Sequence, residues 1–251
     1  MSVLTVRFHS PALGKKTSFN VIHPDVGEGP FPVLMQLHGY SDDSFSWLYN
    51  SNIVRHVANL PLIVVLPDGG TSRYVNMSRH ERFGKQNYED LLVDDIPAEV
   101  ARLFHVRSGP WAIGGLSMGG QGALRLGMKY PDRFASIWSH SSGLLKPDPE
   151  WLAMLDDPDD ASCFVQADRL QARVEAGDVL PAITFDCGVD DFVLEGNREL
   201  HAHMDAIGLM HTYLEYPGAH TWDYWDEHLP RALAQHAEVL AIKPRFREVG
   251  P

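Results

Sequence analysis

Along this chain, short and almost unbroken apolar runs alternate with longer stretches in which apolar residues recur every three or four positions. Residues 32–38 carry Val33, Leu34, Met35 and Leu37 with Gln36 as the one internal polar position. Residues 62–67 run Leu62, Ile63, Val64, Val65, Leu66, Pro67, and 111–114, 134–138 and 182–187 repeat the pattern. A continuous apolar run bounded by turn residues predicts a strand covered on both faces, whereas strict alternation predicts one face in water. Alternation is found only near the start, over 3–9 and again around 19–22, and predicts an antiparallel opening hairpin.

The helical stretches are equally legible. Residues 88–104 place Leu91, Leu92, Ile96, Val100 and Leu103 on one face, and 121–130 place Leu124, Leu126 and Met128 before Pro131 stops them. Residues 193–207 and 222–241 predict two further helices, with a last strand over 213–216 between them. Buried strands separated by helix-length segments need crossover connections. The expected fold class is therefore α/β: an open, mostly parallel, doubly wound sheet with helices on both faces.

Between about 144 and 180 the periodicity gives way to Lys146, Pro147, Asp148, Pro149 and Glu150, then to the acidic run Asp156, Asp157, Pro158, Asp159, Asp160. This insertion reads either as a small cap over a site or as a solvated excursion. No composition shift marks a second domain, so residues 1–251 are expected to form one.

Composition narrows the partners. Thirty-three acidic against 21 basic residues give a formal net charge of −12, a surface that repels nucleic acid and anionic membranes. The first residues lack the basic start and apolar core of a signal peptide, and no run is long enough to span a bilayer. The expectation is a cytoplasmic protein with a small-molecule substrate. Cys163 and Cys187 do not make a disulfide framework and read as reduced thiols, Cys187 as a small buried hydrophobe. Among 13 histidines, His201 and His203 come nearest to a ligand pair. Residues two apart on a helix point in different directions, so no metal is expected there.

Chemistry concentrates at Gly115-Leu116-Ser117-Met118-Gly119, between an apolar run and a helical pattern. This is the strand, turn, helix setting of a nucleophile elbow, in which flanking glycines remove side chains that would collide. A serine hydroxyl needs a base within reach and a third group to fix that base. His220 follows the strand over 213–216, and Asp190 and Asp191 follow the strand over 182–187. All fall at carboxyl ends of strands, the edge where such sheets hold their ligands. Spacing alone leaves Asp190 and Asp191 both open as the acid. The N–H of Met118, by position, and of Tyr40, after His38-Gly39, are the candidate oxyanion donors. Trp47, Asp68, Tyr74 and Trp222 are candidates for the substrate pocket, although Trp222, Trp225 and Leu229 recur at a helical spacing that favours core packing.

With these residues the chain resembles the esterase D and S-formylglutathione hydrolase superfamily of α/β-hydrolases, most of all its short-chain acyl esterases of the tributyrin type. The resemblance rests on Leu37-His38-Gly39-Tyr40, Val64 to Gly69, Gly114 to Gly120, Cys187-Gly188-Val189-Asp190-Asp191-Phe192 and Gly218-Ala219-His220-Thr221-Trp222. It implies an α/β-hydrolase fold, Ser117 as nucleophile, His220 as base, Asp191 as acid, oxyanion donors from Tyr40 and Met118, no cofactor, and a dimer or tetramer. The residues flanking His220 depart from those of dedicated S-formylglutathione hydrolases. Thioester hydrolysis and the release of acetyl or feruloyl groups from plant-derived oligosaccharides stand as alternatives, and a non-catalytic binding role comes last.

Overall fold

Strands form where the apolar runs predict them. The computed structural model describes residues 1–77, 84–144, 148–155 and 157–246. Within these residues β1 (Ser2–Ser10), β2 (Lys15–His23), β3 (Val33–Leu37), β4 (Ile63–Pro67), β5 (Trp111–Leu116), β6 (Phe134–His140), β7 (Ala182–Gly188) and β8 (Thr212–Tyr216) make one sheet. Its order is β1-β2-β4-β3-β5-β6-β7-β8. β1 and β2 pair antiparallel, β2 joins β4 antiparallel, and all later pairings are parallel.

Every residue of β3 and β4 is buried, because helices cover both faces and leave no solvent side. Neighbouring residues accordingly enter different cores: Met35, Leu37 and Val65 pack in one, Leu34, Val64 and Leu66 in the other. The helices in chain order are α1 (Ser46–Asn50), α2 (Ile53–His56), α3 (Tyr88–Asp90), α4 (Ile96–Leu103), α5 (Met118–Lys129), α6 (Pro149–Leu152), α7 (Cys163–Glu175), α8 (Leu194–Ala206) and α9 (Trp222–Val239). Buried residues of α4, α5, α7 and α8 join the first core, and those of α2 and α9 the second.

The structure refines the expected helices. The 88–104 helix is interrupted by a π-helical turn, Leu91–Asp95, just before α4. Pro97 near the start of α4 has no N–H for the turn before it, and the guanidinium of Arg133 donates to the carbonyl of Val93. The helix expected from residue 121 begins at Met118, immediately after Ser117.

The 144–180 stretch holds more structure than its polar composition announces. Asp148 caps α6 by accepting the Glu150 N–H at 2.8 Å, and Asp157 caps the 3₁₀ turn Pro158–Ala161 through the Asp159 N–H at 3.0 Å. Each Asp-Pro pair that read as a breaker is an N-cap followed by proline in the first turn, a favoured helix start. Ser162 opens α7, whose buried Cys163, Gln166, Ala167 and Leu170 keep helical spacing. Asp156 and residues 145–147, read as part of the same insertion, lie outside the described residues.

Candidate active site

β5 delivers Ser117 to the carboxyl edge of the sheet and α5 starts on the next residue. The serine sits at φ 52°, ψ −117°, a conformation that costs a non-glycine residue of order 1–3 kcal/mol and is held by what surrounds it. Its N–H donates to His140 at 2.9 Å, and its carbonyl accepts the Gly143 N–H at 2.9 Å. The turn closes only because its neighbours lack side chains. A Cβ on Gly115 would stand 2.4 Å from the Gly119 carbonyl oxygen, and one on Gly119 2.5 Å from that of His38.

Two later loops are stitched into one platform beside the serine. After β7, the Val189 N–H donates to Tyr216 and the Asp190 N–H to Gly218, both at 2.9 Å. Gly218, at φ 138°, turns the chain toward His220. The result is a continuous relay: His220 Nε2 lies 2.9 Å from Ser117 Oγ, and Nδ1 lies 2.9 Å from each carboxylate oxygen of Asp191. Asp190, one residue earlier, is exposed, whereas Asp191 is buried. Burial alone would raise the Asp191 pKa, but His220, the Val193 N–H and the Ser141 hydroxyl outweigh it and hold the carboxyl below its ordinary value. The imidazole is flanked by Phe192, ring centroids 4.5 Å apart, and meets the Trp225 ring edge-on at 5.0 Å.

Tyr40, Met118 and Ser117 line a common cavity of about 280 Å³ with Arg73, Gln121, Gly143, Phe192 and Val193. Among the described residues the N–H groups of Tyr40 and Met118 have no acceptor, which for Met118 follows from its place in the first turn of α5. The Tyr40 loop is fixed from below by His38. Its Nδ1–H donates to the Gly39 carbonyl at 2.7 Å while Nε2 accepts the Gly69 N–H at 2.9 Å. That arrangement requires the neutral ring, and burial lowers its pKa accordingly.

None of the four pocket candidates is among the residues that line this cavity; Trp47 and Tyr74 belong to the core, while Asp68 and Trp222 are half-buried. Trp47 is fully buried, with its indole N–H donated to the Leu37 carbonyl at 2.9 Å and its ring edge-on to Trp222. Tyr74 is also fully buried, and its hydroxyl donates to the His38 carbonyl at 2.9 Å. Asp68 turns back to accept the Gly70 N–H at 3.0 Å. In both rings a backbone carbonyl takes the polar atom, which lets the aromatic body sit in the core. The actual wall residues Arg73, Gln121, Phe192 and Val193 carry little signal of their own, since they line the cavity by position next to the elbow and the acid.

A second cavity of about 280 Å³, largely apolar, adjoins through Gln121 and is lined by Leu144, Trp151, Leu152, Cys163, Phe164 and Glu199 among others. Trp151 stacks under the Arg73 guanidinium, 4.6 Å from its ring centroid. Cys163 and Cys187 are both free and buried, with burial pushing their thiols up to about 12.

An elbow serine, an imidazole and a buried carboxylate in that spatial relay, at the carboxyl edge of this sheet, define a serine hydrolase of the α/β-hydrolase fold. The chain belongs to the esterase family, whose model, described as "Putative esterase", matches residues 10–236. It is an esterase, a hydrolase of carboxylic esters. It is 27% identical to an acetyl esterase of Caldicellulosiruptor saccharolyticus over 95% of this chain and 99% of that protein. In structure it is similar to the fluorophosphonate-binding serine hydrolase F of Staphylococcus aureus, with TM-score 0.80 and 23% identity over 94% of this chain and 98% of that one. It is also similar to an S-formylglutathione hydrolase from Agrobacterium tumefaciens, with TM-score 0.82 and 20% identity over 95% of each chain. No helix among the described residues is long and apolar enough to cross a membrane.

Proposed function

We propose that the protein hydrolyses short-chain acyl esters through a covalent acyl-enzyme on Ser117. The observation that carries the reading is the unbroken relay Ser117, His220, Asp191, each contact at 2.9 Å. Ser117 Oγ attacks the ester carbonyl carbon while His220 Nε2 takes its proton, and Asp191 stabilises the imidazolium that forms. The tetrahedral oxyanion receives the N–H groups of Tyr40 and Met118, each worth about 10²–10³ in rate in comparable sites. Collapse breaks the bond to the alcohol oxygen, which leaves with the proton from His220. A water deprotonated by His220 then attacks the acyl carbon and frees the acid and Ser117.

The cavity of about 280 Å³ at the serine suits a small acyl group. Among the described residues, Arg73 Nη1 is buried without a hydrogen-bond partner, and it offers a cationic donor to an oxygen of the substrate. The described residues 148–155 and 157–180 act as a small cap in this reading, because Trp151 braces Arg73 and Phe164 lines the adjoining cavity. Two buried free thiols and an acidic surface fit a cytoplasmic enzyme.

One observation favours a second reading. The adjoining apolar cavity, with Trp151 and Phe164 in its wall, would take an aromatic acid of the feruloyl kind. A ferulic acid esterase is among the similar solved structures, with TM-score 0.79 and 25% identity.

Hydrolysis of p-nitrophenyl esters from acetyl to octanoyl, and of methyl ferulate, by wild type and Ser117→Ala tests both. The first reading expects turnover to fall steeply beyond short acyl groups and the variant to lose about 10⁶ in kcat. Preference for methyl ferulate would select the second reading. Near-full turnover by Ser117→Ala would remove both.

A further inference from the structure

At the sheet edge opposite the serine, the last turn of α8 meets the residue before β8, and three side chains converge. His201 Nδ1 lies 2.8 Å from His211 Nε2. Asp205, one turn after His201 on α8, places Oδ2 3.6 Å from His201 Nε2 and Oδ1 3.9 Å from His211 Nε2. One donor atom from each residue can be chosen so that all lie within 4.8 Å of one another.

The hydrogen bonding of this cluster is one-sided. The Leu209 carbonyl can only accept, so His211 Nδ1, 2.7 Å away, carries its hydrogen and Nε2 presents a lone pair. His201 Nδ1 must then donate to that lone pair. In the neutral ring this leaves the lone pair of His201 Nε2 directed at the carboxylate of Asp205. A lone pair facing a carboxylate is relieved by a positive charge between them, and His211 Nε2, 3.9 Å from the same carboxylate, lies close enough to share that charge.

We infer that His201, Asp205 and His211 form a divalent metal site of the zinc type, with water completing the coordination. Two imidazoles and a carboxylate are a borderline set that suits zinc, and bonds of about 2.0–2.2 Å would draw the ligand atoms to roughly 3.3 Å from one another. The half-buried His201 ring, whose Nδ1 now bonds His211, has to turn to take up that spacing. The surrounding shell is already in place. Leu209 fixes the tautomer of His211, as carbonyls behind metal-bound histidines do, and Phe185 stacks on that ring with centroids 5.7 Å apart. Tyr213 packs on His201 at 4.9 Å. His203, the neighbour in sequence, turns away to Asp168 at 2.8 Å, as its spacing of two requires.

The position defines the role. α8 begins just after Asp191, and β8 leads into the loop of His220. An ion bridging the far ends of these elements ties together the two segments that carry acid and base, without touching substrate. The site is structural.

The test is calorimetric titration of Zn²⁺ into tag-free, chelator-treated protein, with thermal melts and ester turnover alongside. The expected result is one zinc per chain and a Tm raised by roughly 5–10 °C at about a hundredfold excess over Kd, with kcat unchanged. Asp205→Asn, at an exposed residue, should fold normally, bind at least tenfold more weakly and lose most of the Tm gain. His201→Gln should do the same. Absence of stoichiometric binding by wild type, or wild-type affinity in both variants, would overturn the site and leave a proton in the ion's place.

Discussion

The indole N–H of Trp225 donates to the hydroxyl of Ser141 at 3.2 Å, and that hydroxyl in turn supports the carboxylate of Asp191. Ser141 is fully buried at φ 47° just beyond β6, its own N–H held by the Asp186 carbonyl at 2.7 Å. A residue just beyond β6 and a helical tryptophan thereby brace the Asp191 carboxylate from behind. Ser141→Ala should lower kcat about tenfold, the equivalent of one hydrogen bond to a charged group, and leave KM unchanged. Steady-state kinetics on p-nitrophenyl acetate decide it, and a KM change without a kcat change would place Ser141 outside the positioning of the acid.

The elbow's tolerance for side chains can be measured directly. A Cβ on Gly119 would meet the carbonyl oxygens of His38 and Leu37 at 2.5 and 2.6 Å, backbone atoms of β3 and its loop that cannot yield. Gly119→Ala should destabilise by about 3 kcal/mol and displace the Tyr40 donor with it. Urea unfolding would show the first effect and loss of kcat in the residual folded protein the second.

A buried ionic cluster locks α5 to the segment before α4. Glu89 meets Arg125 at 2.6 Å and Lys129 at 2.7 Å and accepts the Tyr130 hydroxyl at 2.5 Å. Arg125 also donates to the Tyr74 carbonyl at 2.7 Å. Arg125→Met leaves Glu89 buried without its main counter-charge and should cost about 3–5 kcal/mol. Adding Glu89→Gln should recover part of that loss, a coupling that a double-mutant cycle in urea would read.

Acid sensitivity should trace in part to His236. Burial within α9 lowers its folded pKa to about 3, against an unfolded value of about 6.5. The folded state thus refuses a proton that the unfolded chain accepts. Its contribution is fully present above pH 6.5 and is lost as pH falls toward 3, by about 2 kcal/mol between pH 6.5 and 5. His38 and His228, also lowered mainly by burial, act in the same direction. His236→Gln, which can keep the 2.8 Å contact to Ser136, should flatten the slope of stability between pH 7 and 5. An unchanged slope would show that the ring protonates without unfolding.

Periodicity and punctuation made most of the architecture readable. Continuous runs such as 62–67 can be satisfied only between two helical layers, and the elbow glycines around Ser117 announce a turn that no other residue type permits. The 163–175 helix was obscured by the Asp-Pro pairs ahead of it, which mimic loop composition while serving as caps. Spacing left Asp190 and Asp191 open, because either side chain can leave a turn toward the next loop. Burial of Asp191 beneath the Gly218 turn is what brings it to His220.

The sequence by itself determined the order of strands and helices and the edge at which Ser117, Asp191 and His220 emerge, since periodicity and local turn chemistry act over a few residues. The tertiary structure decided which residues enclose the cavity, why Trp47 and Tyr74 are spent on backbone carbonyls, and how His211 reaches His201 and Asp205. These are contacts between segments distant in the chain or set by the path of a turn. They depend on how helices settle on the sheet, and no one-dimensional pattern encodes that packing.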